Sequence, residues 1–254
     1  MNEMNNEVNI NIIKKNIRVS LGDKKIYLSK IVQENIELYW NKCVRYNPHL
    51  TRGKVFCIGK MENGPEDFCI ELNESDYAHY LYSINHKMHN DEKCAVCFAA
   101  GLVETEDRCY IIGRMNKKTS TPFRYQLPGG GIGINDIKNG IVNLDDNLRR
   151  EIIEELNIDI YNVGDVDVFF PAYLKSGGSN GDIAIVYKIR SSLKSREILL
   201  RHKQNKKREF ESLVCLKKKE ESIECFFEKH SLYVDYLPGI LKHDLKRCSL
   251  DYFK

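Results

Sequence analysis

The sequence predicts an α+β fold built on a mixed sheet, with residues 91–254 as the larger unit and residues 1–90 as a small α+β extension packed on it. Three observations predict this. Short runs rich in Val, Ile, Phe and Tyr, bounded by Gly, Asn and Asp, recur along the chain as strands do. Five longer stretches carry apolar residues at helical spacing. One of these, ending at Ile158, divides into an apolar face and a face of glutamates, so it must sit between a core and something charged.

A chain of 254 residues holds one large domain or two small ones. Hydrophobic residues make up 42% and charged residues 30%, the composition of a globular protein rather than a disordered one. A net charge of +3 is close to balance and argues against nucleic acid as the partner. No run approaches the ~18 apolar residues of a membrane span. Residues 1–16 are Asn-rich without the apolar core of a signal peptide, so the expected location is cytoplasmic. Most of the nine cysteines sit in apolar runs, which favours reduced, buried thiols. Cys94 and Cys97 form a C-x-x-C, but on a strand residues i and i+3 face opposite ways, so a metal or redox role for this pair is not expected.

Taken in order, residues 10–13, 17–19 and 25–28 read as strands, with turns at Asn16 and Gly22-Asp23. Residues 29–46 read as a helix with Ser29 as N-cap and Ile31, Ile36, Leu38, Tyr39 and Trp40 as its apolar positions. Asn47-Pro48 ends it. Residues 54–58 and 68–72 form a hairpin across the turn-rich segment from Glu62 to Pro65, and residues 75–83 a short helix. A second hairpin pairs 94–104 with 109–114. A loop then leads through 125–127 to Leu127-Pro128-Gly129-Gly130-Gly131. Residues 145–156 form the Glu-faced helix, with Asp145 as N-cap. Residues 163–170, 182–189 and 211–215 are strands; 222–230 and 236–246 are helices.

At about 100° per residue, Leu148, Ile152, Ile153 and Leu156 fall on one side of the third helix and Glu151, Glu154 and Glu155 on the other. Three carboxylates so close repel one another, and a purely solvated face would intersperse Lys or Arg. Such an oxygen-rich cluster suits Mg²⁺ or Mn²⁺. The glycines upstream let backbone approach a phosphate or metal closely.

Arg150-Glu151-Ile152-Ile153-Glu154-Glu155-Leu156-Asn157-Ile158, with Leu127-Pro128-Gly129-Gly130-Gly131 before it, resembles the signature box of the Nudix hydrolases. That pattern is Gly, five residues, Glu, seven residues, then R-E-U-x-E-E-x-G-U, with U aliphatic. The second half matches except that Asn157 stands for Gly, a mild change because Asn also takes the left-handed C-cap. The first half departs further. Counted from Gly130, the Glu position holds Asp136, and thirteen residues rather than seven separate it from Arg150, an insertion of about six within 132–144. Residues 101–104 and 110–114 are similar to the family's first hairpin. More weakly, Trp40, Asn47 to Leu50, Gly53 to Val55 and Asp76-Tyr77 resemble the N-terminal extension of a subgroup that includes the UDP-glucose pyrophosphatases.

The resemblance implies an α/β/α sandwich and a metal-dependent pyrophosphohydrolase for a nucleoside diphosphate linked to another group, a nucleotide sugar being the first expectation. It implies Glu151, Glu154 and Glu155 as ligands of Mg²⁺ or Mn²⁺, joined by the carbonyl of Gly129 or Gly130, with Glu151 nearest the water-activating role. Gly129, Gly131 and Arg114 are the expected substrate contacts. Arg150 is expected to be structural, paired with Asp136, Asp145 or Asp146. A further catalytic Glu is expected from a basic, turn-like segment at 201–210: Glu209 or Glu211, which would share a face in a strand. Lys203, Lys206, Lys207 and Arg208 read as a solvated loop in preference to a phosphate site, and the loop from Ser176 to Gly181 as a turn that could approach substrate. Two other readings compete: a hydrolase of capped or triphosphorylated RNA 5′ ends, and a non-catalytic ligand-sensing domain. The first needs a basic, aromatic surface, and the second typically loses the box carboxylates that this chain keeps. The expected partner is a small nucleotide; a homodimer stays open.

Overall fold

The computed structural model describes residues 7–24, 26–119, 121–205 and 209–251, without the side chains of 248–251. In chain order its elements are β1 (Val8–Ile12), β2 (Asn16–Leu21), α1 (Lys30–Tyr46), β3 (Lys54–Asn63), β4 (Asp67–Asp76), α2 (Tyr77–Asn85), β5 (Cys97–Glu104), β6 (Cys109–Met115), β7 (Tyr125–Gln126), β8 (Gly129–Gly131), β9 (Ile137–Lys138), β10 (Ile141–Val142), α3 (Leu144–Leu156), β11 (Val166–Gly177), β12 (Ile183–Ser191), α4 (Ser195–Gln204), β13 (Phe210–Lys217), α5 (Glu220–Lys229) and α6 (Leu237–Asp251). The expected α+β class with mixed sheets is what the chain adopts. Among the described residues no helix is long and apolar enough to cross a membrane.

There are two sheets. The larger runs β1-β11-β12-β5-β6-β13, with β7 added to β6 and β8 to β5. Only β12 and β5 run parallel within it; the other pairs are antiparallel. The smaller runs β3-β4-β2-β10-β9, with β2 and β4 parallel. One face of the large sheet carries Leu102, Tyr110, Ile112, Ala184 and Val186 against Ile223 and Phe226 of α5 and Leu237, Ile240 and Leu241 of α6. The opposite face packs Ala99, Val103, Ile111 and Ile185 against Leu148, Ile152 and Leu156 of α3, in one cluster with Val19, Phe56, Ile70 and Leu72 of the small sheet. Strands cross the expected division at residue 90 in both directions: β1 pairs with β11 over five positions, and β10 pairs with β2.

Under α6 lies a buried charge cluster. Lys218 Nζ donates to Glu104 (2.7 Å) and Asp244 (2.8 Å), and Lys188 Nζ to Asp244 at 2.5 Å. The hydroxyls of Tyr110 and Tyr173 donate to the two oxygens of Asp244 at 2.6 and 3.0 Å. Burial alone would raise the Asp244 pKa; the two ammonium groups outweigh it and hold it down to about 2.

Several expectations are corrected. Residues 26–29 are irregular rather than a strand, and Lys25 lies outside the described residues. Ser29 precedes α1, but its side chain makes no cap; its N–H donates to Glu92 Oε1 at 3.0 Å. Of α1's apolar residues only Ile36 is buried, and Ile31 and Leu38 face solvent, because α2 is the one helix that packs on it. α2 begins at Tyr77, capped by Asp76, whose carboxylate accepts from His79 N–H at 3.0 Å. The basic segment is not a free turn from its start: residues 195–204 are α4.

Candidate functional site

α3 is set by its ends and its stripe. Asn143, not Asp145, is the N-cap: its side chain accepts from Asp146 N–H at 3.1 Å. Asp145 and Asp146 fall instead in the first turn, where the helix dipole favours anions. Asp145 accepts from Tyr187 Oη at 2.7 Å. Asn157 ends the helix in the left-handed region at φ 57°, as its place in the pattern implied. Leu148, Ile152 and Leu156 are fully buried; Ile153 lies at the stripe's margin, half-exposed.

The glycines form strand β8, in register with β5 so that Gly130 lies opposite Ala99. Gly129 adopts φ +143°, and a Cβ there would stand 2.3 Å from the Ala99 carbonyl oxygen. A Cβ on Gly130 would come within 2.4 Å of the Glu151 carboxyl carbon. The bare strand is therefore what lets α3 bring its glutamates against backbone.

Glu155 is buried, and its Oε2 accepts from Gly129 N–H at 2.9 Å. Burial first, then the charge of Glu151, pushes its carboxyl well above the usual range. Glu151 is raised to about 7, again by burial first; Arg150 opposes the shift, while Glu154 and Glu209 add to it. Glu154 is exposed at the outer edge of the same face.

Arg150 is tied from both sides. Its Nη2 donates to Asp136 Oδ2 at 3.0 Å and its Nη1 to Glu151 Oε1 at 2.7 Å. Of the three candidate partners it is thus Asp136 that holds Arg150. The same Asp136 oxygen, buried, also accepts from Asn147 Nδ2 at 2.9 Å and Gly133 N–H at 2.8 Å. Asn147 donates as well to the Gly131 carbonyl at 3.0 Å, lacing β8 to α3. Sequence reasoning missed Asn147; its signal was a polar residue on the apolar stripe beside Leu148.

The two later glutamates do not share a face. The register of β13 against β6 shifts between Phe210 and Ser212. Phe210 lies over Gly113, where a Cβ would meet its ring at 2.2 Å, and the bulge follows from seating that ring. Glu211 is turned onto Arg114, with which it forms an ion pair; the Arg114 guanidinium also lies 4.8 Å from the Phe123 ring centroid. Glu209 is exposed as a residue just before β13, yet its carboxyl is within electrostatic reach of α3: partial desolvation and then Glu154 raise its proton affinity, and its charge is felt at both Glu151 and Glu155. Lys203 is exposed at the end of α4, while Lys206, Lys207 and Arg208 lie outside the described residues. α4 itself steadies the end of α3: His202 Nδ1 hydrogen-bonds the Glu155 carbonyl at 2.7 Å and Asn205 Nδ2 donates to the Glu154 carbonyl. The loop after β11 packs on the N-terminal region, where Asn180 Oδ1 accepts from Ser83 Oγ at 2.8 Å.

No family model and no curated protein matches the chain in sequence. Solved structures do resemble it. A Deinococcus radiodurans protein is 16% identical with a TM-score of 0.43, over 58% of this chain and 82% of that one. A MutT protein from Methanosarcina mazei is 14% identical with a TM-score of 0.38, over 62% and 97%. A bifunctional NMN adenylyltransferase/ADP ribose pyrophosphatase from Francisella tularensis, complexed with AMP and manganese, is 12% identical with a TM-score of 0.43, over 67% and 48%. Likenesses this low leave the functional reading to the side chains themselves.

Those side chains fit a hard divalent cation. Glu151, Glu154 and Glu155 share one face of α3 and the charge of Glu209 is felt at two of them, while Glu151 is paired with one guanidinium and Glu155 with one backbone N–H. Their ligand atoms do not lie within 4.8 Å of one another as a trio; among the described residues that spacing is met by Cys57, His79 and Cys94. A cation with oxygen preference would relieve the repulsion and draw them together.

Proposed function

We propose that the chain is a metal-dependent pyrophosphohydrolase of the Nudix type, cleaving a nucleoside diphosphate linked to a second group, with a nucleotide sugar such as UDP-glucose as the first substrate to try. The products are a nucleoside monophosphate and the phosphorylated second group. The observation that carries the reading is the carboxylate cluster Glu151, Glu154, Glu155 and Glu209 set against the bare backbone of Gly129–Gly131, with burial raising the proton affinity of Glu151 and Glu155.

Glu151, Glu154 and Glu155, with Glu209 across from them, would hold one or more Mg²⁺ or Mn²⁺ ions. A bound divalent ion neutralises the diphosphate oxygens and eases ionisation of a water. The chain's own residues do the rest. Gly129 N–H fixes the Glu155 carboxylate through a direct hydrogen bond. Asp136 fixes Arg150, and Arg150 orients Glu151. Glu151, held by Arg150 on the glutamate face of α3, is the carboxylate placed to accept the proton of an attacking water. Glu209 is the second acceptor on the same cluster. Glu211, engaged with Arg114, is set to hold that guanidinium for an anionic substrate group rather than to take a proton.

The test is a panel of nucleotide sugars, dinucleoside polyphosphates and capped RNA 5′ ends with Mg²⁺ or Mn²⁺, scored by product identity. Release of a nucleoside monophosphate and a sugar phosphate supports the reading in full. Turnover of capped RNA alone overturns the substrate class but keeps the hydrolase. No turnover on any member, with the folded protein still binding a nucleotide, favours a ligand-sensing domain.

A further inference from the structure

Apart from the glutamate helix, one cluster among the described residues gathers metal-ligating side chains, and the proposed activity does not use it. Cys57 on β3, His79 on α2 and Cys94 just before β5 have ligand atoms all within 4.8 Å of one another. All three are buried: Cys57 and Cys94 are 0% exposed and His79 is 2%. Cys94 lies before β5 rather than on the strand the sequence suggested, and it meets Cys57, Sγ to Sγ at 2.7 Å.

We infer that Cys57, Cys94 and His79 form a binding site for a thiophilic divalent ion of the zinc class, separate from the carboxylate centre. The donor types decide the class: two thiolates and an imidazole suit a borderline-soft ion, whereas Mg²⁺ takes oxygens. The histidine is already oriented as a ligand is. Its Nε2 faces the Glu92 carbonyl at 2.7 Å, and a carbonyl only accepts, so Nε2 carries the proton. The lone pair then resides on Nδ1, which meets Ser75 Oγ at 2.8 Å. A backbone carbonyl fixing the far nitrogen is the usual support of a metal-bound imidazole. Ser75 is a rotor, so its oxygen either turns aside or serves as the fourth ligand. Cys94 is equally fixed, with its N–H donating to Ser83 Oγ at 3.1 Å and its carbonyl accepting from Asn180 Nδ2 at 3.0 Å. Ser75 and His79 also line a cavity of about 780 Å³ between the segment after β2, α1 and β4.

One adjustment is required. Two sulfurs bound at ~2.3 Å to a tetrahedral ion stand about 3.8 Å apart, so these must separate by roughly 1 Å. The site would pin β3 and α2 to the entrance of β5, where Ile58 N–H already donates to the Ala95 carbonyl at 2.7 Å.

The experiment uses the full chain, purified with a reductant and without chelator. Elemental analysis should find about one zinc per chain. After stripping and titration with Co²⁺, sulfur-to-cobalt charge-transfer absorption should appear, which carboxylate ligands cannot produce. Cys94→Ser and Cys57→Ser should lose that absorption and at least ~10-fold in zinc affinity; Glu155→Gln, which touches only the carboxylate centre, should lose neither. Should the cysteine variants fail to fold, the cobalt spectrum of the unaltered chain and its thiol count still decide. All nine thiols free with no charge-transfer band overturns the site. So does a disulfide mapped between Cys57 and Cys94 in the chain prepared without reductant, which would lower the thiol count in denaturant to seven, nine minus two.

Discussion

Removing the Asp136 carboxylate leaves Arg150 Nη2, Asn147 Nδ2 and Gly133 N–H without the oxygen they share. Asp136→Ala is therefore expected to destabilise the fold by about 3 kcal/mol, the scale of a broken buried pair, and to weaken Mg²⁺ binding by removing the anchor that fixes Arg150, and through it Glu151; urea denaturation and metal titration check both. Glu155→Gln should behave differently. It keeps the Gly129 hydrogen bond through the amide oxygen, so the fold should survive, while activity falls by at least ~10²-fold because an amide is a poor hard ligand; unchanged turnover at saturating Mg²⁺ would remove Glu155 from the ligand set. Glu151 gives a pH signature. Its folded pKa of about 7 lies above the ordinary value of 4.5, so between these limits the folded state binds more protons than the unfolded one. Stability of the metal-free protein should fall by roughly 3 kcal/mol as pH rises through this window, and Mg²⁺ should restore more at pH 8 than at pH 5. Glu151→Gln should flatten that slope, leaving the part carried by the raised carboxyls of Glu155 and Glu209; an identical slope in the variant would assign it elsewhere. The three glutamates of α3 were legible because helical periodicity alone puts them on one face. The partner of Arg150 was not, since Asp136, Asp145 and Asp146 are equivalent until the chain between them is folded, and the choice of Asn143 over Asp145 as cap depends on where the first turn closes.

At the scale of elements, the inserted segment is the instructive case. Its place between the glycines and the glutamate helix suggests a loop beside the substrate at 132–144, whose shortening by about six residues would alter KM more than kcat. Its middle is a hairpin: Asn139 and Gly140, both at positive φ, turn β9 into β10, and β10 pairs with β2. Asn-Gly is the strongest two-residue hairpin signal, but strands of two residues carry no periodicity to announce themselves. Deleting residues 137–142 strips two strands from the small sheet and removes buried Val142 from the core. Loss of that side chain alone costs about 2 kcal/mol, so the expected result is a clear drop in the denaturation midpoint before any change in KM. An unchanged midpoint with altered substrate preference would return the segment to a substrate-facing role. α4 escaped notice for a related reason: its buried positions, Ile198 and His202, are only two, and the basic residues around them read as a turn. Glu209 and Glu211 separated because a bulge breaks strand alternation, and bulges are set by packing, here Phe210 over Gly113, rather than by residue pattern.

For the whole molecule, the question is whether residues 1–90 and 91–254 can live apart. α1 buries little on its own, and a unit of ~90 residues made of hairpins and two helices is marginal. The contacts across the division are of the kind that a core makes. Val19, Phe56, Ile70 and Leu72, each no more than 2% exposed, share a cluster with Leu148, Ile152 and Leu156 of the glutamate helix. β1 closes the edge of the large sheet beside β11, and Ile10 fills the space over Gly239 of α6, where a Cβ would meet it at 2.3 Å. Cutting at residue 90 would expose the back of the sheet that carries Ala99 and Val103, and would leave the backbone groups of β11 unpaired along five positions. A 91–254 fragment should accordingly aggregate, or melt well below the full chain with a smaller denaturant slope. Adding the 1–90 fragment in trans should recover solubility and activity together, because what is missing is a shared core. The contrary outcome is specific: a 1–90 fragment that unfolds cooperatively alone, beside a 91–254 fragment with the full chain's melting temperature and turnover. Retained stability with a raised KM would instead mean that the aromatic residues of the N-terminal region, Trp40, Tyr77 and Tyr80 among them, line the substrate side rather than support the sheet.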